Sequence, residues 1–464
     1  MTLTAPDSHT CQDSLRLHQY LIAAWIALAT AFIVWPFSWS GFSSQIVGAC
    51  MLLPCLIKGQ HWLDAIKAFL GLAWIPYLLL CCILLLHLVQ GGEHPGLLLF
   101  LTYMFKIPTL GVLVYGGTQT LKRSGFRSGA RMQIFWLAVL LPLLVMLFQL
   151  FIPSFNGWVI EQLGGFRVEQ VISGNNQGHP FRFLGLNGFL FASHGVAFAF
   201  TALGMLVCRN NMRRPSVTYS FFCIELVCLL AALLSGRSAL PLLGIYIIAS
   251  LYFAHGLRQR LVMCLVYLVI GVLMALLPRV SEDGRQFITW LIEPVQTSLE
   301  RGTLASASMD ITLQSYQGLS NRKPQEVDQE SFSFHGEDLL KSSSLVGEGV
   351  YFRNNAQYEE RGLTSSDSGF VRLVYLAGYL GCTLFVLFWL ALFVRAWQCS
   401  RYSPWLPRVY LALFTSYGLL FFVKSEWLYQ NFFIFYFFLL FYYFDSAAKQ
   451  NHAHYIRQGV SAAA

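Results

Sequence analysis

The sequence predicts an all-α, polytopic membrane protein of about 12 transmembrane helices. Three observations carry that reading. The 464 residues are 56% hydrophobic and only 12% charged, where a soluble domain carries about 25% charged residues. The apolar residues fall into blocks of helix length, and a transmembrane helix needs roughly 20 of them. Lys and Arg crowd alternate connections between the blocks, the bias that sets orientation in a membrane.

Twelve spans follow in order: 18–37, 42–57, 66–89, 95–115, 133–153, 184–207, 216–234, 238–255, 260–278, 370–394, 405–423 and 427–444. The leader MTLTAPDSHTCQDS is polar and lacks a basic n-region, so the first block is expected to stay as a span. The second block is short and follows the connection PFSWSG. The third and fourth carry His87 and Lys106, and the seventh carries Glu225 in FFCIELVC. Ionisable groups inside spans line a cavity or pair with one another. Lys106 and Glu225 are candidates for one interhelical pair, with substrate contact as the alternative. The sixth block carries His194, whose bland reading is an interhelical hydrogen bond. The seventh and eighth blocks are separated only by SGR, which ends in Arg237.

Orientation follows from the basic loops. Lys122, Arg123, Arg127 and Arg131 occupy one; Arg209, Arg213 and Arg214 the next on that side; then Arg258 and Arg260; then Arg395, Arg401 and Arg408. With twelve spans, all of them fall in the cytoplasm together with both termini. The opposite side holds one long loop, 279–369, with 8 basic and 14 acidic residues, a net of −6. The domain division is therefore 1–278 with helices 1–9, the large periplasmic loop 279–369, and 370–464 with helices 10–12 and a cytoplasmic tail. A loop of this length is expected to be folded and functional. The net charge of +8 is mostly this inside bias, so it gives little support to a nucleic-acid partner. The eleven cysteines avoid the two long outer loops and show no metal-ligand spacing, so no structural disulfide is expected.

The candidate chemistry lies on the outer side. Arg237 stands among Ser235, Gly236 and Ser238, at the end of one span and the start of the next. Its guanidinium beside a helix N-terminus suits phosphate or diphosphate. The bland reading is a snorkelling anchor or helix cap. Arg182 closes the other long outer loop, 154–183, at the mouth of the sixth span. The end of the long loop reads FHGEDLLKSSSLVGEGVYFRNNAQYEERGLTSSDSGFVRLVYLAGYLG. It holds His335, Glu348 within GEG, Arg353, Arg361 and Asp367, followed by Gly378 and Gly381. GEG also reads as a turn, and Asp367 as an N-cap. Lys424 and Glu426 lie in the short outer turn between the last two spans. Trp158, Tyr351 and Phe352 are candidates to stack on sugars, or to anchor at the interface. No GxSxG elbow, Walker loop, HExxH or GxGxxG occurs.

A helix ending in SGRSAL, a large outer loop, a GxG, a DSG and a following LAGYLG together resemble the Wzy-type O-antigen polymerases and their ligase relatives. The resemblance covers most of the chain in architecture and about five short patches in sequence. It implies a GT-C-like body and a metal-independent, inverting glycosyltransferase of the bacterial inner membrane, without cofactor. The donor would be a growing glycan on undecaprenyl diphosphate, transferred to a new lipid-linked repeat to build O-antigen or exopolysaccharide. A chain-length regulator of the Wzz type and a flippase are the implied partners. Arg237 and Arg182 match the family's diphosphate-holding arginines. Arg353, Arg361, Lys424 and Glu426 would contact diphosphate or glycan. Asp367, His335 or Glu348 would orient or deprotonate the acceptor hydroxyl. The ligases place a His followed by Asn where this chain has Asp367-Ser368, a departure that favours polymerase.

Three other readings compete. A ligase would transfer finished glycan to lipid A core or protein. A lipid-linked oligosaccharide transporter would commonly show an internal repeat, and none is visible. A metal-dependent enzyme using dolichol-type phosphosugars would want carboxylates in the first outer loop, and PFSWSG has none.

Overall fold

The computed structural model describes residues 8–39, 42–56, 74–89, 97–152, 191–210, 215–235, 237–254, 256–282, 369–401, 403–422 and 430–462. Scattered further positions are described at 154, 155, 158, 284, 285, 287–289, 291, 292, 296, 345 and 428. These residues are helical, apart from short connections and one hairpin that pairs Ser38–Trp39 with Phe42–Ser43. Among the described residues, five helical stretches are long and apolar enough to cross a membrane: Leu17–Val34, Ser128–Gln149, Leu257–Val280, Leu376–Ser400 and Trp405–Phe422. Shorter apolar helices cover Ser44–Leu56, Trp74–Val89, Tyr219–Ser235, Leu240–Tyr252 and Asn431–Ser446. Each of the twelve predicted blocks overlaps a described helix. The chain forms two compact units, one from residues 1–61 and 113–291, the other from 62–112 and 292–464.

The first unit contains α1 (Ser8–Val34), α2 (Ser44–Leu52), the end of α4 (Leu97–Arg123), α5 (Ser128–Trp136), α6 (Leu140–Phe151), α7 (Phe191–Asn210), α8 (Pro215–Ser235), α9 (Leu240–Tyr252) and α10 (Leu257–Val280). The hairpin turns the chain so that α2 packs back along α1. The approach is close because Gly48 lies where any Cβ would come within 2.6 Å of the Ala29 carbonyl. The 133–153 block is not one continuous helix. A 3-10 turn at Leu137–Val139 separates α5 from α6. Pro142 explains it, since its ring clashes with the carbonyl four residues earlier. Two arginines expected in polar loops are buried: Arg131 within α5, and Arg209 in the last turn of α7. α7 and α8 form the tightest helix pair in this unit, joined by a four-residue connection. They therefore run antiparallel. α7 also meets α5 and α9, and Gly204 admits the ring of Trp136 against its backbone.

The second unit contains α3 (Trp74–Val89), the first part of α4, α11 (Gly369–Ser400), α12 (Trp405–Phe422) and α13 (Asn431–Ala462). The run FFIFYFFLLFYYF makes α13 apolar on every side, and such a helix is stable only when enclosed. Phe433, Tyr436 and Phe437 are fully buried. Phe433 stacks on Phe414 at 5.0 Å, and Trp389 meets both Phe433 and Phe437 edge-on. Beyond 444 the predicted cytoplasmic tail continues as the same helix to Ala462. α11 breaks at Gly378, whose φ of 70° and ψ of −175° are open essentially only to glycine. The break releases the Leu380 amide from the helix ladder. It donates instead to the carbonyl of Leu345, in the segment between α10 and α11, at 3.0 Å.

Candidate functional site

The site begins with a turn. α8 ends at Ser235, whose hydroxyl donates back to the Ala231 carbonyl at 2.7 Å. Gly236 lies outside the described residues. Arg237–Ala239 then form a 3-10 turn that runs into α9, with Pro241 at the start of that helix. The sequence places the N-terminal amides of the next span at Ser238. The regular helix instead starts at Leu240, and Arg237 itself opens the helical turn before it. Proline favours the first turn of a helix because its missing N–H has no partner there. Ala239 is fully buried and Ser238 partly so, and the turn packs against α7, α8 and α9.

Because α7 and α8 are antiparallel, the Arg237 turn lies at the end of this unit where α7 begins. His194 stands in the first described turn of α7, 7% exposed. Its ring sits 5.9 Å from that of Trp35, which in turn stacks on Phe198 at 4.6 Å. Trp35 directly follows α1 and precedes the hairpin, so the same end collects the hairpin, the aromatic pair, His194 and the Arg237 turn. The expected interhelical hydrogen bond of His194 is not made at Nε2, which is buried without a partner among the described residues. A buried imidazole nitrogen left in this state costs about 1–3 kcal/mol unless water or a ligand meets it.

The opposite end of α7 and α8 corrects the pairing drawn from sequence. Glu225 is fully buried and is held by Arg209. The guanidinium binds both carboxylate oxygens, Nε to Oε1 at 2.8 Å and Nη2 to Oε2 at 3.0 Å. Tyr246 of α9 donates its hydroxyl to the same Oε2 at 2.5 Å. Arg209 also lies over the Phe222 ring, 5.4 Å from its centroid. On the neighbouring α10, Tyr267 bonds Ser250 of α9 at 2.7 Å. Lys106 belongs to the other unit, where its ammonium lies 4.5 Å from the centre of the Tyr103 ring. The physical reason is reach: a long arginine one residue from the end of α7 folds back along an antiparallel partner. Three donors converge on Glu225, so the arrangement is an interhelical clamp.

Of the other residues singled out by sequence, Arg182, His335, Glu348, Arg353, Arg361, Asp367, Lys424 and Glu426 lie outside the described residues, as do Tyr351 and Phe352. The structure thus brings together Arg237 and the His194 end of α7. Sequence reading passed over the Arg209–Tyr246 partnership with Glu225, whose signal was a single glutamate within an apolar span of a basic hairpin. No family model matches the chain, and no curated protein sequence matches it.

Proposed function

We propose that the chain is a membrane glycosyltransferase that polymerises undecaprenyl-diphosphate-linked repeat units, with Arg237 gripping the donor diphosphate. One observation carries the reading most strongly. Arg237 opens the 3-10 turn into α9, among small residues, at the end of its unit where the buried His194 keeps an Nε2 without a partner among the described residues. An arginine at the first turn of a helix offers a planar fork of donors beside unsatisfied amides, which suits a diphosphate.

In this reading the acceptor hydroxyl attacks the anomeric carbon of the donor glycan. The bond from that carbon to the diphosphate oxygen breaks, and inversion follows from attack on the opposite face. The hydroxyl proton passes to a base drawn from Asp367, His335 and Glu348. The departing diphosphate gathers negative charge, which Arg237 and Arg182 stabilise with preorganised donors and without a metal. Arg353, Arg361, Lys424 and Glu426 hold the glycan or diphosphate, and the 279–369 loop orients both substrates in the periplasm.

The test is a substitution series at Arg237 in cells that make the lipid-linked repeat. Losing one donor to a developing anion costs about 3–4 kcal/mol, or a factor of about 10²–10³ in rate. Arg237→Ala is expected to insert normally, abolish long glycan and let single repeats accumulate. Arg237→Lys is expected to restore little, because an ammonium lacks the fork. Wild-type chain length in the Lys variant would reduce Arg237 to a helix anchor.

A further inference from the structure

A cavity lies within the first unit, at the end of α4 and away from the Arg237 turn. It measures about 460 Å³, within the roughly 300–1,000 Å³ of ligand-binding clefts. Ile22, Trp25 and Pro54 give it an apolar wall, and His18, Arg123 and Ser124 a polar rim. None of its described lining residues is a carboxylate. The walls are fixed by specific bonds. Trp25 Nε1 donates to the Met51 carbonyl at 2.9 Å, and Gln19 Nε2 donates to the Ser124 carbonyl at 2.9 Å. α4 closes with Phe126 N bonded to the Leu121 carbonyl and Gly125 N to the Lys122 carbonyl, and Gly125 takes a φ of 84°. That double cap stops the helix sharply at Lys122 and Arg123. The rim therefore carries the Arg123 cation beside the start of Leu17–Val34, a stretch of α1 long and apolar enough to cross a membrane.

We propose that this cavity binds an anionic phospholipid. One acyl chain lies along the Ile22–Trp25 wall of α1, and the phosphate meets Arg123 at the rim, with Lys122 and Arg127 contributing to the local positive field. The charge complementarity is specific: the stretch from Gly117 to Arg127 contains three basic residues and no acidic one. Basic pockets between membrane helices, at headgroup depth, are suited to such lipids, and each Lys or Arg near anionic headgroups contributes about 1 kcal/mol.

Cys55 lines the same cavity, while the nearby Cys50 is exposed and serves as an internal reference. The test labels the full-length protein in micelles with a small bromobimane reagent and reads each cysteine peptide by mass spectrometry. Phosphatidylglycerol is expected to slow labelling of Cys55 but not of Cys50, and phosphatidylcholine to protect neither. Arg123→Gln is expected to weaken the phosphatidylglycerol effect about five-fold, the equivalent of about 1 kcal/mol. Arg123→Lys is expected to retain it, and it carries the comparison should the Gln variant fold poorly. Equal protection by phosphatidylcholine, absence of protection, or an undiminished effect in a folded Arg123→Gln protein would each overturn the proposal.

Discussion

Glu225 shows what a single charge costs and gains inside an apolar bundle. A carboxylate with no contact to water is tolerated only when its charge and its lone pairs are met. Arg209 supplies two donors and the charge, and Tyr246 supplies a third donor. Removing one partner leaves the other buried, which costs about 3–5 kcal/mol, while replacing both by apolar side chains of similar size is far milder. Glu225→Leu is therefore expected to lower the thermal midpoint of the purified protein sharply. Arg209→Met combined with Glu225→Leu is expected to recover most of the loss, read as a double-mutant cycle. Losses that simply add, so that the double variant loses the sum of the two single ones, would show that the pair is not coupled. His194 presents the converse case. Its Nε2 meets nothing among the described residues, so His194→Leu is expected to unfold no earlier than wild type. If that nitrogen serves the substrate, the same variant loses activity. Full activity would leave His194 as packing for Trp35.

At the scale of elements, glycine and proline decide where helices break or approach. The 3-10 turn at 137–139 falls inside the block expected as one span, although Pro142 makes it legible in the sequence, and α4 runs past its expected end at 115 to the Lys-Arg-Ser-Gly run. The break in α11 was less so, because LAGYLG reads equally as a close-packing face. Only the observed φ of 70° distinguishes the two. Replacing Gly378 by Ala forces that conformation on a residue with a Cβ, at about 1–3 kcal/mol, or straightens the helix. Either way the Leu380 amide should exchange with deuterium faster, because its bond to Leu345 depends on the break. Unchanged protection at Leu380 would contradict this account. Arg209 and Arg131 were read as loop charges because positive-inside counting cannot tell a headgroup arginine from one folded back into the bundle. The distinction depends on a tertiary partner, Glu225 in the case of Arg209, that no local pattern announces.

For the whole molecule, apolar blocks of helix length foretold a helical chain with stretches long enough to cross a membrane, since only helices and closed barrels satisfy the backbone in lipid and barrel strands alternate instead of staying apolar for about 20 residues. The division into two units was not legible. It assigns the two parts of α4 to different units and groups 62–112 with the last three helices, a relation set by contacts distant in sequence. Most of the candidate site was named from order and spacing, and of those residues the structure places the Arg237 turn. The orientation rests on charge bias, so a cysteine at Ser343 is expected to react with an impermeant maleimide in intact cells. Labelling only after lysis would invert it.

Reconstitution tests the proposed chemistry without the rest of the cell. The purified chain is placed in liposomes with one undecaprenyl-diphosphate-linked repeat unit and EDTA, and the products are resolved by size. The account predicts a ladder of two, three and more repeats that is lost in Arg237→Ala. A mixture that retains only single repeats, with the protein folded and the substrate intact, would contradict it.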